Sequence, residues 1–355
     1  MSAFDGMVGN EPALRILSRA LESGDAAHAY LFHGPPGVGK ETAARRFGAA
    51  LVADGDRTAD GRALRGLHPD LTAVEPEGRF TTIGQVREVV RLATSRPFEG
   101  ARRVFVLRAN TLNVQAGNAL LKTLEEPEGE VVFLLIALSL ESVLPTIVSR
   151  AQSVRFNPVP RDEVVSFLRG RGFSEHEARL AASLGRGSVG LSLRYAAEGE
   201  LRELRDAVLG AGFTLSANFE ERARAVESLV ARVEEVGAAR EREYLAGFED
   251  GPDRRAKDAA KRLGRAARDG AVAEALELLA LLYRDAAVAA AGAGELVANS
   301  DRVEEILARV EEHRGADWTG AARVLREAGE GLQYNVPPEA ILEVALCRTR
   351  RKILG

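Results

Sequence analysis

The sequence predicts an α/β domain with a parallel sheet, followed by a C-terminal part built only of helices. Up to about residue 157, short apolar segments alternate with segments of helical periodicity, as expected for parallel strands joined by crossover helices. One apolar segment, AYLF, leads into the glycine-rich sequence GPPGVGK and then into a helical pattern. From about residue 201 to Gly355 the chain is rich in Ala, Leu, Arg and Glu and has no long strand-like run.

The predicted elements follow one another in a regular order along the α/β part. PALRILSRALES predicts a first helix, AYLF a strand and ETAARRFGAALVA a helix, whereas DGDRTADGRALRG (54–66) is typical of a polar loop. DLTAVEP and VFVL predict strands on either side of the helix TIGQVREVVRLATSR, and VVFLLIAL predicts a strand after the helix LNVQAGNALLKTLEE. NPVP (157–160) marks a boundary, and DEVVSFLRGRG and EHEARLAASLG predict a small helical unit after it. We therefore expect three domains, at residues 1–157, 158–200 and 201–355.

Composition and charge exclude several classes of protein. The chain is 46% hydrophobic and 28% charged, which is ordinary for a globular protein. A net charge of -4 argues against broad coating of nucleic acid, although it permits a local basic patch. The single cysteine, Cys347, permits no internal disulfide, and the longest apolar run, residues 131–138, is too short to span a bilayer. We expect a cytoplasmic protein without a membrane segment, with Cys347 and Trp318 in the core.

The sequence GPPGVGK (34–40) matches the frame of a phosphate-binding loop but lacks its metal ligand. Gly34, Gly37 and Gly39 allow backbone N–H groups to face a phosphate, and Lys40 adds a positive charge at the start of a helix. The next position should be Ser or Thr, whose hydroxyl binds Mg²⁺, but it is Glu41. Thr42 is a poor substitute, because one step along a helix rotates the side chain by about 100°. Two interpretations stay open: static binding of ATP, ADP or phosphate, or a structural turn in which Glu41 repels a triphosphate.

Several segments together resemble bacterial clamp-loader AAA+ subunits. The segments VGNEPALRIL, HAYLFHGPPGVGK, NALLKTLEEP (118–127) and TIVSR occur in the family's order and spacing, and NALLKTLEEP is highly specific to it. The resemblance implies a RecA-like AAA+ P-loop domain, a small helical lid and a C-terminal helical collar used for oligomerisation. It also places Val8 and Gly9 near the adenine of a bound nucleotide.

The departures from the family pattern predict a subunit that does not hydrolyse ATP. Motor subunits of the family have Asp and Glu, for Mg²⁺ and the attacking water, where this chain has Leu107 and Arg108. The family's sensor Thr is replaced by Ala137 or Leu138, and the sensor Arg of the lid falls at about Gly190. We expect no intrinsic ATPase activity and no required cofactor, in a component of the DNA polymerase III holoenzyme.

Arg150 is the candidate residue with an active role. It lies in TIVSR, and the resemblance implies an arginine finger that reaches the ATP of a neighbouring subunit, a task suited to a forked, permanently charged guanidinium. The following Ala151 stands where the family has Cys, and without the motif Arg150 would be an ordinary surface arginine. Most relatives also bind zinc through four cysteines, and this chain has none there. We therefore expect no metal and no zinc.

The sequence leaves one basic helix without a role. By steps of three and four residues, one face of this helix presents Arg254, Lys257, Lys261, Arg265 and Arg268. Such a face could approach a phosphate backbone, although a solvated face is the more ordinary explanation.

The function predicted from the sequence is that of a non-hydrolysing subunit of the DNA polymerase III clamp loader. Its partners would be motor subunits of the gamma/tau type and a delta-type subunit, with the sliding clamp and primed DNA engaged through the complex. Two alternatives are an active AAA+ motor ATPase with unusual ligands and a pure assembly scaffold.

Overall fold

A parallel sheet of five strands forms the centre of the N-terminal part. The strands are β1 (Ala29–His33), β2 (Leu71–Val74), β3 (Arg103–Arg108), β4 (Val131–Ala137) and β5 (Gln152–Arg155). Their order across the sheet is β2-β3-β4-β1-β5, and every pair is parallel. Each residue of β4 is buried, as expected for an inner strand covered on both faces. The predicted parallel α/β sheet is thus confirmed, and the unpredicted strand is β5, in which only Val154 is buried.

The computed structural model describes residues 3–76, 80–215, 218–248, 251–329 and 336–355. The chain divides into two compact units, one of Met1–Ala178 with Gly185–Ser192 and one of Arg179–Leu184 with Leu193–Gly355. The boundaries predicted at residues 157 and 200 concern a finer division and stay a prediction. No helix within the described ranges combines the length and the apolar character needed to cross a bilayer.

Helices cover both faces of the sheet. In chain order the helices up to residue 197 are α1 (Glu11–Ser23), α2 (Lys40–Ala53), α3 (Arg57–Leu64), α4 (Ile83–Ala93), α5 (Val114–Glu125), α6 (Pro145–Val148), α7 (Arg161–Arg169), α8 (Glu175–Leu184) and α9 (Val189–Ala197). Helices α1 and α2 contribute to the core on one face, and α4, α5 and α6 to the core on the other. Tyr30 and Phe32 of β1 enter one hydrophobic core, and Ala29 and Leu31 enter the core on the other face. Side chains of β1 are thus anchored in the cores on both faces of the sheet, which also fixes where the following loop begins.

The prediction of a polar loop over residues 54–66 is wrong. Residues Arg57–Leu64 form α3, whose first turn is capped by the Asp56 carboxylate, 2.7 Å from the Thr58 nitrogen. Ala59 and Ala63 are buried, so α3 packs through a narrow stripe of two alanines. So small an apolar stripe among charged residues gave no helical signal in the sequence.

The second unit is entirely helical in its described residues, as predicted. Its main helices are α10 (Gly199–Phe213), α11 (Phe219–Ala246), α12 (Arg254–Ala290), α13 (Val303–Glu312), α14 (Trp318–Ala328) and α15 (Pro338–Leu354). Short 3-10 turns occur at Gly294–Leu296 and Ser300–Arg302. Trp318 is buried and stacks on Tyr283, as expected for a core residue, whereas Cys347 is exposed on α15 and the prediction that it lies in the core is wrong.

Candidate functional site

The loop between β1 and α2, predicted to be a phosphate-binding cradle, makes close turns at its glycines. Gly37 has a φ of 73°, and a Cβ at this position would lie 1.9 Å from the Ser188 hydroxyl oxygen. A Cβ at Gly34 would lie 2.0 Å from the carbonyl oxygen of Phe156, which follows β5. Both positions therefore require glycine, and the turn delivers the chain to Lys40 at the first position of α2.

The segment that begins α9 packs directly on this loop. Ser188 is buried, and the Gly190 N–H donates to the Gly37 carbonyl over 3.4 Å. The resemblance places the lid sensor arginine at about Gly190, and at this residue the chain contacts the loop through its backbone.

Lys40 is directed at the loop itself. Its side chain is buried, and its ammonium donates to the carbonyls of Gly34, at 2.6 Å, and Pro35. Burial, assisted by the positive charge of Arg108, lowers the pKa of Lys40 to about 8. Lys40 therefore loses its proton at a lower pH than an exposed lysine does, and an added anion would favour the charged form.

The two unusual residues of the metal site pair with each other. Arg108, the last residue of β3, places its guanidinium 3.0 Å from the Glu41 carboxylate, and the Arg108 Nε lies 3.5 Å from the Glu75 carboxylate. Glu41 also accepts from Arg45 at 3.0 Å, one turn further along α2. The positions that would hold Mg²⁺ and the attacking water therefore contain an internal ion pair.

The sequence reasoning named both residues but missed their pairing. It treated Arg108 as the loss of a carboxylate that motor subunits have, and Glu41 as the loss of a metal ligand and an anion that could repel a triphosphate. A signal was present, since two replacements of opposite charge fell at positions that the P-loop frame brings to one metal site.

The remaining predicted nucleotide residues provide no metal ligand. Leu107 is buried in the core, Ala137 is buried where β4 pairs with His33 of β1, and Leu138 is exposed. Thr42 is exposed on α2, one residue beyond the position that a ligand would need. Across the ranges that the structure describes, no group of three or more His, Cys, Asp or Glu side chains could hold a metal ion.

The segment with Val8 and Gly9 lies against the loop through Asn10. The Asn10 amide donates to the carbonyls of Val38, at 3.3 Å, and Asn157, at 3.1 Å, while its oxygen accepts from the Asn157 N–H at 2.7 Å. Sequence reasoning did not identify Asn10. The backbone of Asn10 is left-handed, with a φ of 60°, and Asn10 is the residue directly before α1.

Arg150 lies beyond α6 and is held by neighbouring groups. Its guanidinium pairs with the Glu125 carboxylate at the end of α5 and donates to the Thr146 carbonyl at 2.8 Å. The side chain is 31% exposed, and its Nε is buried without a hydrogen-bond partner among the described residues. Glu125 belongs to the NALLKTLEEP segment and Arg150 to TIVSR, so two of the family segments meet at this ion pair.

Arg150 and the phosphate loop lie at opposite ends of β1. Arg150 shares a shallow surface depression with His28, the residue before β1, whereas the loop begins after His33 at the other end. Five residues of a strand span roughly 16 Å. Arg150 therefore lies away from the phosphate loop of its own chain.

Comparison with known proteins identifies the N-terminal part. Residues 9–160 match the family model described as DNA polymerase III, delta subunit. The DNA polymerase III subunit delta' of Pseudomonas aeruginosa is 41% identical over 135 residues, which cover 35% of this chain and 41% of that protein. The corresponding subunit of Bacillus subtilis is 31% identical over 180 residues, 48% of this chain and 54% of that protein.

A subunit of another type is also similar. The DNA polymerase III subunit tau of Escherichia coli K12 is 30% identical over 221 residues, 59% of this chain and 33% of that protein. This chain thus spans about half or less of the length of each of these relatives. The resemblance predicted from the sequence is confirmed over the matched residues, which are similar to DNA polymerase III delta' subunits.

Proposed function

We propose that the chain is a non-hydrolysing subunit of the DNA polymerase III clamp loader. The observation that supports this most directly is the Glu41–Arg108 ion pair, because it engages the Glu41 carboxylate and places a guanidinium where motor subunits of the family have the carboxylate that positions water. The similarity to delta' and tau subunits supports a place in the same assembly. Its partners there are gamma/tau-type motors and a delta-type subunit, and the complex acts on the sliding clamp and primed DNA.

The isolated chain should not hydrolyse ATP. With Leu107 and Arg108 at the catalytic positions, phosphate release from Mg²⁺-ATP should stay at background, with or without primed DNA. Lys40→Ala is the matched control, since a contaminating ATPase would be unaffected by this change. Turnover that disappears in Lys40→Ala would establish the alternative of an active motor. Elemental analysis of the same preparation should find no stoichiometric zinc.

The cradle has a second role in this proposal, as a static site for ATP, ADP or phosphate that needs no metal. The support is the retained loop conformation and the buried Lys40 at the start of α2. The alternative, a structural turn without ligand, is favoured by the two loop carbonyls that Lys40 already contacts.

Nucleotide affinity should fall as the pH rises through the pKa of Lys40. That pKa is lowered to about 8 in the ligand-free chain, and a bound phosphate would favour the charged form. Between about pH 7 and about pH 9 the protonated fraction of the lysine drops roughly tenfold, so the affinity should fall by about the same factor. The measurement is calorimetric titration with ADP in the presence of chelator.

The control for this titration is Lys40→Arg, whose side chain stays charged over the whole range and should flatten the pH profile. If ADP does not bind near neutral pH, the loop is a structural turn without a ligand. Binding with the same pH profile in both proteins would remove Lys40 as the phosphate contact.

The third element of the proposal is that Arg150 serves as an arginine finger for the ATP of a neighbouring subunit. Its support is the placement at the end of β1 away from the loop, together with the partial exposure of its guanidinium. A scaffold without a finger is the alternative, favoured by the pairing of Arg150 with Glu125.

A further inference from the structure

The second unit contains a long helical hairpin whose two arms differ in charge. Helices α11 and α12 run antiparallel and pack closely where Gly237 faces Gly264, since a Cβ on either glycine would lie 2.9 Å from the carbonyl oxygen of the other. Between Arg254 and Asp269, α12 carries seven basic and two acidic residues. This concentration of positive charge contrasts with a chain whose net charge is -4.

Arginines on α11 are largely neutralised by neighbouring carboxylates. Arg224 pairs with Glu220 at 2.7 Å, and Arg242 pairs with Glu235 at 2.6 Å. Arg240 pairs in the same way with Glu243. This arm of the hairpin has the balanced pairing of an ordinary solvated helix surface.

Basic residues on the first half of α12 lack such partners. Six of them are exposed and have no ion pair within the parts of the chain that the structure describes: Arg254, Arg255, Lys257, Lys261, Arg262 and Arg265. Five of these six have Asp258 or Asp269 three or four positions away on the same helix, yet none of the five forms an ion pair with it in the described ranges. Arg268, at the end of the run, is the exception and contacts Glu234 and Asp269.

This arrangement costs the helix stability. Arg254 and Arg255 lie in the first turn of α12, where the helix dipole favours negative charge. Lys257, Lys261 and Arg265 are spaced by four residues, and each like-charge pair at this spacing is unfavourable by about 0.2–0.5 kcal/mol. A sequence that breaks these local rules without a compensating internal contact is typical of a functional surface.

The shape of the basic face fits a phosphate backbone. The face defined by Arg254, Lys257, Lys261, Arg265 and Arg268 extends over about 21 Å of a straight helix. No aromatic residue occurs on α12 before Tyr283, so this face has no ring on which an unpaired base could stack. Evenly spaced cations without stacking groups suit the regular phosphates of a duplex better than a single strand.

We propose that this basic face of α12 binds the phosphate backbone of duplex DNA without reading its sequence. The inference concerns the helical unit alone and does not depend on the state of the phosphate loop or on the role of Arg150. The binding should be electrostatic, and so its affinity should fall steeply with salt.

The test is the binding of the full chain to a labelled duplex of about 20 base pairs over a series of salt concentrations. Lys257→Gln/Lys261→Gln/Arg265→Gln removes three unpaired charges while keeping good helix formers on α12. We expect this variant to lose about tenfold or more in affinity at low salt. The slope of log affinity against log salt should become shallower by about one for each lost phosphate contact.

The matched control is Arg224→Gln/Arg240→Gln/Arg242→Gln, which removes the same number of charges from the paired arm of the hairpin and should bind as the wild type does. Circular dichroism verifies that both variants keep their helices. Failure of the wild type to bind at low salt, or equal losses in both variants, would overturn the proposal. If poly-glutamate at matched charge displaces the labelled duplex as well as unlabelled DNA does, the basic face suits an acidic protein surface. That result would also overturn the proposal.

Discussion

Arg150→Ala should leave the assembled clamp loader intact but strongly reduce its activity. A finger supplied to a neighbouring subunit contributes about 10³–10⁵ in rate at the site that it serves. Only the site adjoining this chain would be affected, so the bulk ATPase rate should fall in part. Clamp loading should fall further if every site must act. The measurement is the DNA-stimulated ATPase and clamp-loading rate of complexes reconstituted with each variant.

The structure indicates that this substitution is compatible with folding. Arg150 is held by Glu125, and the Glu125 side chain is 47% exposed, so water can solvate the carboxylate once the guanidinium is gone. Arg150→Lys should restore little, because an ammonium cannot reproduce the forked geometry of the guanidinium. Arg65→Ala is the control, since Arg65 is an exposed arginine of the same unit. If complexes with Arg150→Ala show wild-type ATPase and clamp-loading rates, Arg150 is not an arginine finger and the scaffold alternative holds.

The phosphate loop shows how much of a site a sequence can predict. The glycine pattern and the strand-loop-helix order determine the cradle, because few other backbone conformations accommodate Gly34 and Gly37 as placed here. The sequence could not predict that Lys40 turns to the loop's own carbonyls, since the frame GPPGVGK is the same whether the lysine contacts backbone or phosphate. Side-chain direction within a fixed backbone depends on local competition between partners.

The edge of the sheet formed by β5 was less predictable than its centre. β4 is a continuous apolar run, a pattern that predicts a strand by itself. β5 has a single buried side chain, and its strand conformation depends on pairing with β1. Helix α3 is likewise defined by tertiary packing of two alanines and by the Asp56 cap. Short elements of this kind depend on neighbours distant in sequence, and their local pattern carries little signal.

A buried carboxylate missed by the sequence reasoning organises the edge formed by β2 and β3. Asp70 is fully buried and accepts from the backbone N–H groups of Phe98, Glu99 and Gly100 at 2.7–2.9 Å. It also pairs with Arg103 at 3.1 Å, and the Arg103 side chain is only 12% exposed. The sequence context HPDL gave no reason to expect a buried ion pair, because all of its partners lie about thirty residues further on.

Asp70→Ala should be the most destabilising single substitution in this part of the fold. It would leave three N–H groups and a nearly buried guanidinium without their acceptor, and breaking a buried pair in this way costs about 3–5 kcal/mol. Such a loss is a large part of the stability of an ordinary domain. The measurement is chemical denaturation, combined with hydrogen exchange of the amides of Phe98, Glu99 and Gly100, which should lose their protection. Asp25→Asn, on an exposed aspartate, should change the stability by less than about 0.5 kcal/mol.

Asp70→Asn provides a test that depends on pH. Burial acts to raise the pKa of Asp70, but the three N–H donors and Arg103 outweigh it and hold the pKa below its usual value. The stability from this carboxylate is therefore fully present above its unfolded pKa of about 3.9 and is lost as the pH falls through the lower folded pKa. The free energies of unfolding of the wild type and of Asp70→Asn should differ most near neutral pH and converge in acid. A difference that stays constant down to the acid transition would show that the charge of Asp70 is not what holds this edge together.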